Sequence, residues 1–89
     1  MHFYIVIQPD PGGVEIWGSG TTIRQCMDIV HPWRDDLTIQ ELTAGEGGCG
    51  ETVAFAKRGR RLQQSEHGLH TNVPQYEWSW EMVASRREQ

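Results

Sequence analysis

The sequence predicts an α+β fold: a small antiparallel β-sheet of four or five strands, in the order ββαβββ, with one amphipathic helix packed on one face. Short runs of β-forming residues recur between turn residues, and one segment has apolar residues at helical spacing. The segment 76–82 alternates strictly between large apolar and polar residues, as a half-buried strand does. At 89 residues, the chain has the size of a single domain spanning 1–89.

A β-hairpin is predicted at the start of the chain. Residues 2–7 are rich in β-formers and apolar on both faces, which is typical of a central strand. Two prolines and two glycines in 8–13 indicate a turn, and a second strand is predicted at 14–18. In that strand Trp17 lies on the face opposite to Ile16, so the hairpin places one tryptophan away from the apolar face.

A short helix is predicted over residues 23–30. Thr21 or Thr22 can cap its N-terminus through a hydroxyl oxygen, and Pro32 ends it. Apolar residues recur at i, i+3, i+4 and i+7, which gives one stripe facing the sheet. This stripe consists of Ile23, Cys26, Met27 and Val30.

Further strands are predicted after the helix. Residues 37–43 and 51–57 have the composition of strands, and in the second of these Val53 and Phe55 share one face. Arg58 and Gly59 indicate a tight turn, which would put the basic residues of 57–61 at the tip of a hairpin.

The clearest alternation in the chain lies in its last predicted strand. Large apolar side chains occupy every second position, namely Tyr76, Trp78, Trp80 and Met82. This stripe fits a sheet face covered by the helix, and it also fits an exposed interaction surface, because tryptophan and tyrosine are common binding anchors. The pattern leaves both alternatives open, and it leaves open whether the tail 83–89 is ordered.

The charge of the chain is unevenly distributed. The formal net charge is −4, but residues 57–61 carry four basic residues and no acidic one. Residues 1–56 carry eight acidic residues against two arginines. Because affinity for phosphates comes mainly from lysine and arginine, this half suits a partner with a basic surface better than a nucleic acid. The acidic residues are Asp10, Glu15, Asp28, Asp35, Asp36, Glu41, Glu46 and Glu51.

The candidate partner-binding residues combine two tryptophans with carboxylates. Trp17 lies opposite an apolar strand face and Trp33 lies in a charged loop, so the fold is not expected to bury either ring. Exposed indole rings indicate a contact surface, here for a protein that itself binds nucleic acid, and they are also compatible with a homodimer. The candidate residues are Trp17, Asp28, Trp33, Asp35, Asp36 and Glu41.

An alternative function rests on the basic segment. Four cationic side chains at a hairpin tip could contact phosphates, and the tryptophans could stack on unpaired bases. The protein would then be a small accessory protein that binds nucleic acid. The residues of this alternative are Lys57, Arg58, Arg60 and Arg61.

No motif indicates catalysis, a metal site or a cofactor, so we expect a non-catalytic protein. The glycine-rich segment 45–50 contains no lysine and leads into a strand, unlike the phosphate-binding loops that precede helices. His67 and His70 form an H-x-x-H pair, but the two cysteines, Cys26 and Cys49, are not spaced as zinc ligands are.

The composition predicts a cytoplasmic location. No apolar run approaches the roughly 20 residues that a membrane helix needs. The N-terminal residues lack the basic region of a signal peptide. Two cysteines are also fewer than a small disulfide-stabilised domain carries, which favours a reducing compartment.

In general character the chain resembles the anti-CRISPR proteins, which are small phage-encoded inhibitors of bacterial defence. The likeness runs over the whole chain, from the strand at 2–7 through the helix at 23–30 to the basic segment at 57–61. It includes no shared motif, so no functional residue is transferred. The resemblance implies an α+β inhibitor that binds a CRISPR–Cas effector subunit or complex in a bacterial host and blocks its nucleic-acid binding.

Overall fold

The computed structural model describes residues 2–43, 50–63 and 74–84. Five strands and one helix occur in these residues, in the predicted order ββαβββ, and the α+β class is confirmed. The strands form one antiparallel sheet in the order β2-β1-β3-β4-β5. The elements are β1 (His2–Asp10), β2 (Gly13–Gly20), α1 (Ile23–Ile29), β3 (Thr38–Thr43), β4 (Glu51–Arg61) and β5 (Tyr76–Met82).

The two faces of the sheet differ because the helix packs on only one of them. Val6, Ile39 and Ala54 lie opposite one another on β1, β3 and β4, and they pack with Cys26 and Val30 in the core. We call this side the helix face. Since successive strand residues point to opposite sides, the residues between them point to the other side, which we call the open face. No helix of the described residues packs on the open face.

The helix begins and ends close to the predicted residues. The hydroxyl oxygen of Thr22 accepts a hydrogen bond from the backbone N–H of Gln25 at 3.1 Å, which confirms Thr22 as the N-cap. Val30 is the C-cap, and its N–H donates to the carbonyl oxygen of Cys26 at 3.1 Å. In the described part of the chain no helix has the length and apolarity needed to cross a bilayer.

The first hairpin is longer than predicted. β1 continues through Pro9, which pairs with Val14, and the chain turns only between Asp10 and Gly13. Pro9 is tolerated because the pairing of β1 with β3 already ends at Ile7, so no neighbour on that side needs its missing N–H. The end of the hairpin therefore extends beyond the rest of the sheet.

A bulge in β4 makes the predicted faces of that strand wrong. The register between β3 and β4 shifts opposite Ile39 and Gln40, where β4 contains one extra residue. An extra residue reverses the alternation that follows it. Val53 and Ala54 are therefore both buried in the core. Phe55, which is opposite Thr38, points to the open face.

The basic segment does not form a hairpin tip as predicted. β4 continues without a turn to Arg61, and the register with β5 shifts between Arg58 and Arg61. Gly59 lies in this irregular stretch, where a Cβ atom would be 3.0 Å from the carbonyl oxygen of Glu77. The glycine therefore permits a close approach of two strands instead of forming a turn.

The aromatic stripe of β5 lies on the helix face. Trp80 and Met82 pack against the core, and Trp80 is opposite Ala56 in the register. This half of the stripe is core. Tyr76 and Trp78 lie at the start of β5, where they are half-buried beside the C-terminal end of β4.

Candidate functional site

Trp17 and Trp33 form an edge-to-face pair. Their ring centroids are 4.8 Å apart and their planes are inclined at 84°, a favourable geometry for two aromatic rings. Trp17 is 45% exposed and Trp33 is 43% exposed. The structure therefore brings the two predicted tryptophans together into one exposed aromatic surface, which we call the tryptophan pair.

Both rings of the tryptophan pair are held by neighbouring groups. Trp17 lies where the register between β1 and β2 shifts, and its indole N–H donates to the side-chain oxygen of Gln8 at 3.0 Å. Trp33 directly follows Pro32, whose side chain is fully buried. Rings that are fixed before binding lose little side-chain entropy when a partner covers them.

The acidic residues that flank Trp33 in the chain are partly paired with arginines of the same segment. Asp28 lies 3.8 Å from Arg24 one helical turn earlier, and Asp36 contacts Arg34. Asp35 is exposed and has no ionic partner in the described residues. The pair of Asp28 with Arg24 is exposed, and exposed ion pairs contribute at most about 1 kcal/mol, so Asp28 can still exchange partners. Asp36 is half-buried, which leaves Asp28 and Asp35 as the exposed carboxylates of this segment.

Glu41 is not part of this surface. It is opposite Tyr4 in the register of β1 and β3, and it accepts a hydrogen bond from the tyrosine hydroxyl at 2.9 Å. His2 lies 3.9 Å away, and the Glu41 side chain is 13% exposed. Tyr4 precedes Gln8 by four residues, which is about 13 Å along a strand. Glu41 therefore stabilises the sheet away from the tryptophan pair.

The basic residues of β4 are divided between the two faces of the sheet. Lys57 and Arg60 point to the open face, where carboxylates of β5 neutralise them. The distance from Lys57 to Glu81 is 3.7 Å and that from Arg60 to Glu77 is 2.9 Å. Arg58 points to the helix face, opposite Trp78. Arg61, opposite Tyr76, points the same way.

Two aromatic rings accompany the arginines on the helix face. The guanidinium carbon of Arg58 lies 4.8 Å from the ring centroid of Tyr76, within the range of a cation–π contact. The rings of Tyr76 and Trp78 are 6.5 Å apart in an edge-to-face arrangement. Beside them is an open cavity of about 450 Å³, whose lining also includes His31 and Leu62. The two arginines on the helix face therefore lie beside aromatic rings, whereas Lys57 and Arg60 lie on the opposite face of the sheet.

The described residues contain no group of three or more histidine, cysteine or acidic side chains that could hold a metal ion. Cys26 is a free thiol with no solvent exposure, and burial raises its pKa. A thiol of this kind is a poor nucleophile. Glu46, Cys49, His67 and His70 lie outside the described residues.

Sequence reasoning did not identify two residues that shape this surface. Gln8 orients Trp17, but a polar residue before a proline gives no signal of such a role. Gly18 lies beneath the end of α1, where a Cβ atom would be 2.8 Å from Val30 Cγ2. A glycine inside a predicted strand is the signal from which this close approach could have been predicted.

Comparison of the chain with models of known families, with curated proteins and with solved structures gives no match.

Proposed function

We propose that the protein is a non-catalytic inhibitor that acts in the cytoplasm of a bacterial host by binding another protein through the tryptophan pair. The observation that carries this proposal is the exposure of two indole rings held in contact with each other. Aromatic anchors that are fixed, exposed and grouped supply much of the affinity of protein interfaces. The pair is also the largest aromatic surface that the described fold leaves uncovered.

The carboxylates that flank Trp33 in the chain favour a partner with a basic surface. Asp35 is unpaired within the described residues, and Asp28 is held only by an exposed ion pair. Lysine and arginine residues of a partner could contact both carboxylates and guide its approach. We therefore propose a partner whose basic surface ordinarily binds nucleic acid, so that the inhibitor competes with phosphate groups.

A CRISPR–Cas effector is the partner implied by the resemblance to anti-CRISPR proteins. The test is target-DNA binding by a panel of purified effector complexes, with and without a stoichiometric amount of the protein. We expect loss of DNA binding by one effector and recovery with Trp33→Ala, which should weaken inhibition about 30-fold or more if it removes about 2 kcal/mol of affinity. Val14→Ala is the matched control, because it shortens an exposed apolar side chain on the open face.

The possible outcomes test the contact surface and the identity of the partner separately. Inhibition that Trp33→Ala and Asp35→Lys leave unchanged would show that the tryptophan pair is not the contact surface. An absence of inhibition across the panel would exclude the CRISPR–Cas partner. Affinity capture from bacterial lysate, with the 260/280 nm ratio of the bound material, would then show whether another nucleic-acid-binding protein is retained by the wild type and lost with Trp33→Ala.

A second candidate function is binding of single-stranded nucleic acid by the helix-face end of β4 and β5. The contact between Arg58 and Tyr76, beside Trp78, favours it. Bases would stack on the aromatic rings, and Arg58 and Arg61 would contact phosphates.

The salt dependence of nucleic-acid binding tests this alternative, because it depends on how many arginines contact phosphates. Two neutralised phosphates give a slope of about −1.4 for log K against log salt concentration, whereas four would give about −2.8. We expect fluorescence anisotropy with a labelled single strand to give the smaller slope. Arg58→Ala with Arg61→Ala should abolish binding, and the matched control, Lys57→Ala with Arg60→Ala, should retain it. Equal losses in both double variants would contradict this assignment.

A further inference from the structure

We propose that a second copy of this chain covers the open face, in a symmetric dimer that packs sheet against sheet. Large apolar side chains from β1, β2 and β4 point to this face. Ile7 and Ile16 are direct register partners, so the apolar surface is continuous across two strands. These side chains include Phe3, Ile5, Ile7, Val14, Ile16 and Phe55.

The β1–β2 end of this surface is the most exposed. Val14 is 58% exposed and Ile16 is 60% exposed, and isoleucine and valine are among the side chains that proteins most often bury. Each such side chain gains about 1.5–3 kcal/mol when it is fully removed from water. The face therefore favours a partner that is itself apolar over one that is highly charged.

The polar side chains at the centre of the open face have their hydrogen bonds within the face. The amide nitrogen of Gln40 donates to the hydroxyl oxygen of Thr38 at 3.1 Å and to that of Thr52 at 2.6 Å. Both amide hydrogens are thus used across β3 and β4. Covering this part of the sheet leaves neither amide hydrogen of Gln40 without an acceptor, so burial avoids the cost of two unsatisfied donors.

The charge of the open face favours a second copy as the occupant. The chain has a formal net charge of −4, so two copies that met through their acidic segments would repel each other. Among the described residues, the strands present four charged side chains on this face, Lys57, Arg60, Glu77 and Glu81, and these form two ion pairs. The strand residues of the face therefore carry no net charge, so two copies of it can meet without the repulsion between like charges that identical charged surfaces would suffer. A basic partner would find no excess negative charge here.

The size of the open face is sufficient for a dimer. Five strands at about 4.8 Å spacing and six residues at about 3.3 Å each give a projected area of about 480 Å², and the extended β1–β2 hairpin adds about 100 Å². Projecting side chains make the accessible area larger than this. Specific interfaces begin at about 600 Å² per partner, so sheet-on-sheet packing reaches the lower end of this range.

Molar mass in solution tests the proposal, measured by sedimentation velocity and by light scattering after size exclusion over a wide range of protein concentration. We expect the wild type to reach twice 10.2 kDa, and Ile16→Glu to remain a monomer because it places a charge in the interface. Ile29→Glu is the matched control, since Ile29 is 61% exposed but belongs to α1. It should dimerise as the wild type does. Circular dichroism confirms that each variant remains folded.

Three results would overturn the proposal. A wild type that stays monomeric throughout the concentration range would show that no second copy covers the face. A dimer that persists in Ile16→Glu and in Ile7→Glu would place the interface elsewhere, as would a dimer that only Ile29→Glu disrupts. Ile7→Glu is an independent test of the same interface, because Ile7 lies on the adjacent strand, opposite Ile16.

Discussion

The indole N–H of Trp80 donates a hydrogen bond to the backbone carbonyl oxygen of Val30 at 2.8 Å. Val30 is the C-cap of α1, where carbonyl groups have no partner within the helix. Trp80 lies on β5, at the opposite edge of the sheet from β2. Since the helix has most of its strand contacts with β1 and β2, this bond connects the helix end to the other half of the molecule.

Trp80→Phe should destabilise the fold. The substitution removes the donor, leaves the Val30 carbonyl oxygen without its partner and leaves a gap in the core. We expect the free energy of unfolding to fall by about 1–3 kcal/mol, measured by urea denaturation followed by circular dichroism. Trp78→Phe is the control, because no hydrogen bond of this kind involves Trp78 among the described residues. Equal losses in the two variants would show that the hydrogen bond contributes little.

Gly18→Ala should also lower stability, by a different mechanism. The new Cβ atom would lie 2.8 Å from Val30 Cγ2, so either the Val30 side chain or the helix end would have to move. Overpacking of this kind costs about 1–3 kcal/mol. Gly12→Ala, at the hairpin turn, meets nothing within 4 Å and should be close to neutral. Thermal denaturation of the two variants measures the difference, and a stable Gly18→Ala protein would show that α1 is loosely packed.

The thiol of Cys26 should react slowly with alkylating reagents and should affect stability at high pH. Burial raises its pKa above the ordinary value of 9.0, since the anion is poorly solvated in the core. Below pH 9.0 the thiol is neutral in both the folded and the unfolded chain, so the contribution of the buried thiol to the free energy of unfolding is fully present. Above this pH the unfolded chain loses the thiol proton while the folded chain keeps it, and the contribution to stability is lost as pH rises through the raised pKa.

Urea denaturation at several pH values measures this effect. We expect the stability of the wild type to decline more steeply above pH 9.0 than that of Cys26→Ala. Parallel declines would show that the thiol does not contribute. Mass spectrometry of alkylated protein gives an independent check, with modification of Cys26 rapid only in denaturant.

Glu41 and Asp35 should respond differently to charge reversal. Glu41 accepts a hydrogen bond from the Tyr4 hydroxyl at 2.9 Å in a half-buried site, so Glu41→Lys should destabilise the sheet by about 1–3 kcal/mol. Asp35→Lys changes an exposed side chain and should alter stability by less than about 0.5 kcal/mol. Melting temperatures distinguish the two variants, and a large loss in Asp35→Lys would assign that residue a structural role.

The sequence patterns predicted the helix and the aromatic strand well because both depend on local spacing. The stripe from Ile23 to Val30 and the capping hydroxyl of Thr22 are sufficient to define a helix. Alternation from Tyr76 to Met82 persists without interruption, so β5 matched its prediction.

The bulges could not be predicted in the same way. Nothing in the residues around Val53 shows that β4 gains one residue against β3 there, since the shift depends on the partner strand. Gly59 beside an arginine is compatible with either a turn or a close strand approach, and the local sequence does not distinguish the two. The contact between Trp17 and Trp33 joins two segments whose distance in space depends on the packing of α1, which local patterns do not specify.

The strand order has a consequence for how the chain reaches its native structure. β1 with β2, β3 with β4, and β4 with β5 are neighbours both in the chain and in the sheet, so each pair can form as a hairpin. Among the five described strands, only β1 and β3 are neighbours in the sheet without being neighbours in the chain, because β2 and α1 lie between them in the sequence. Closing this loop has the larger entropic cost, and folding slows as contacts become less local. We therefore expect the docking of two preformed halves along β1 and β3 to limit the folding rate.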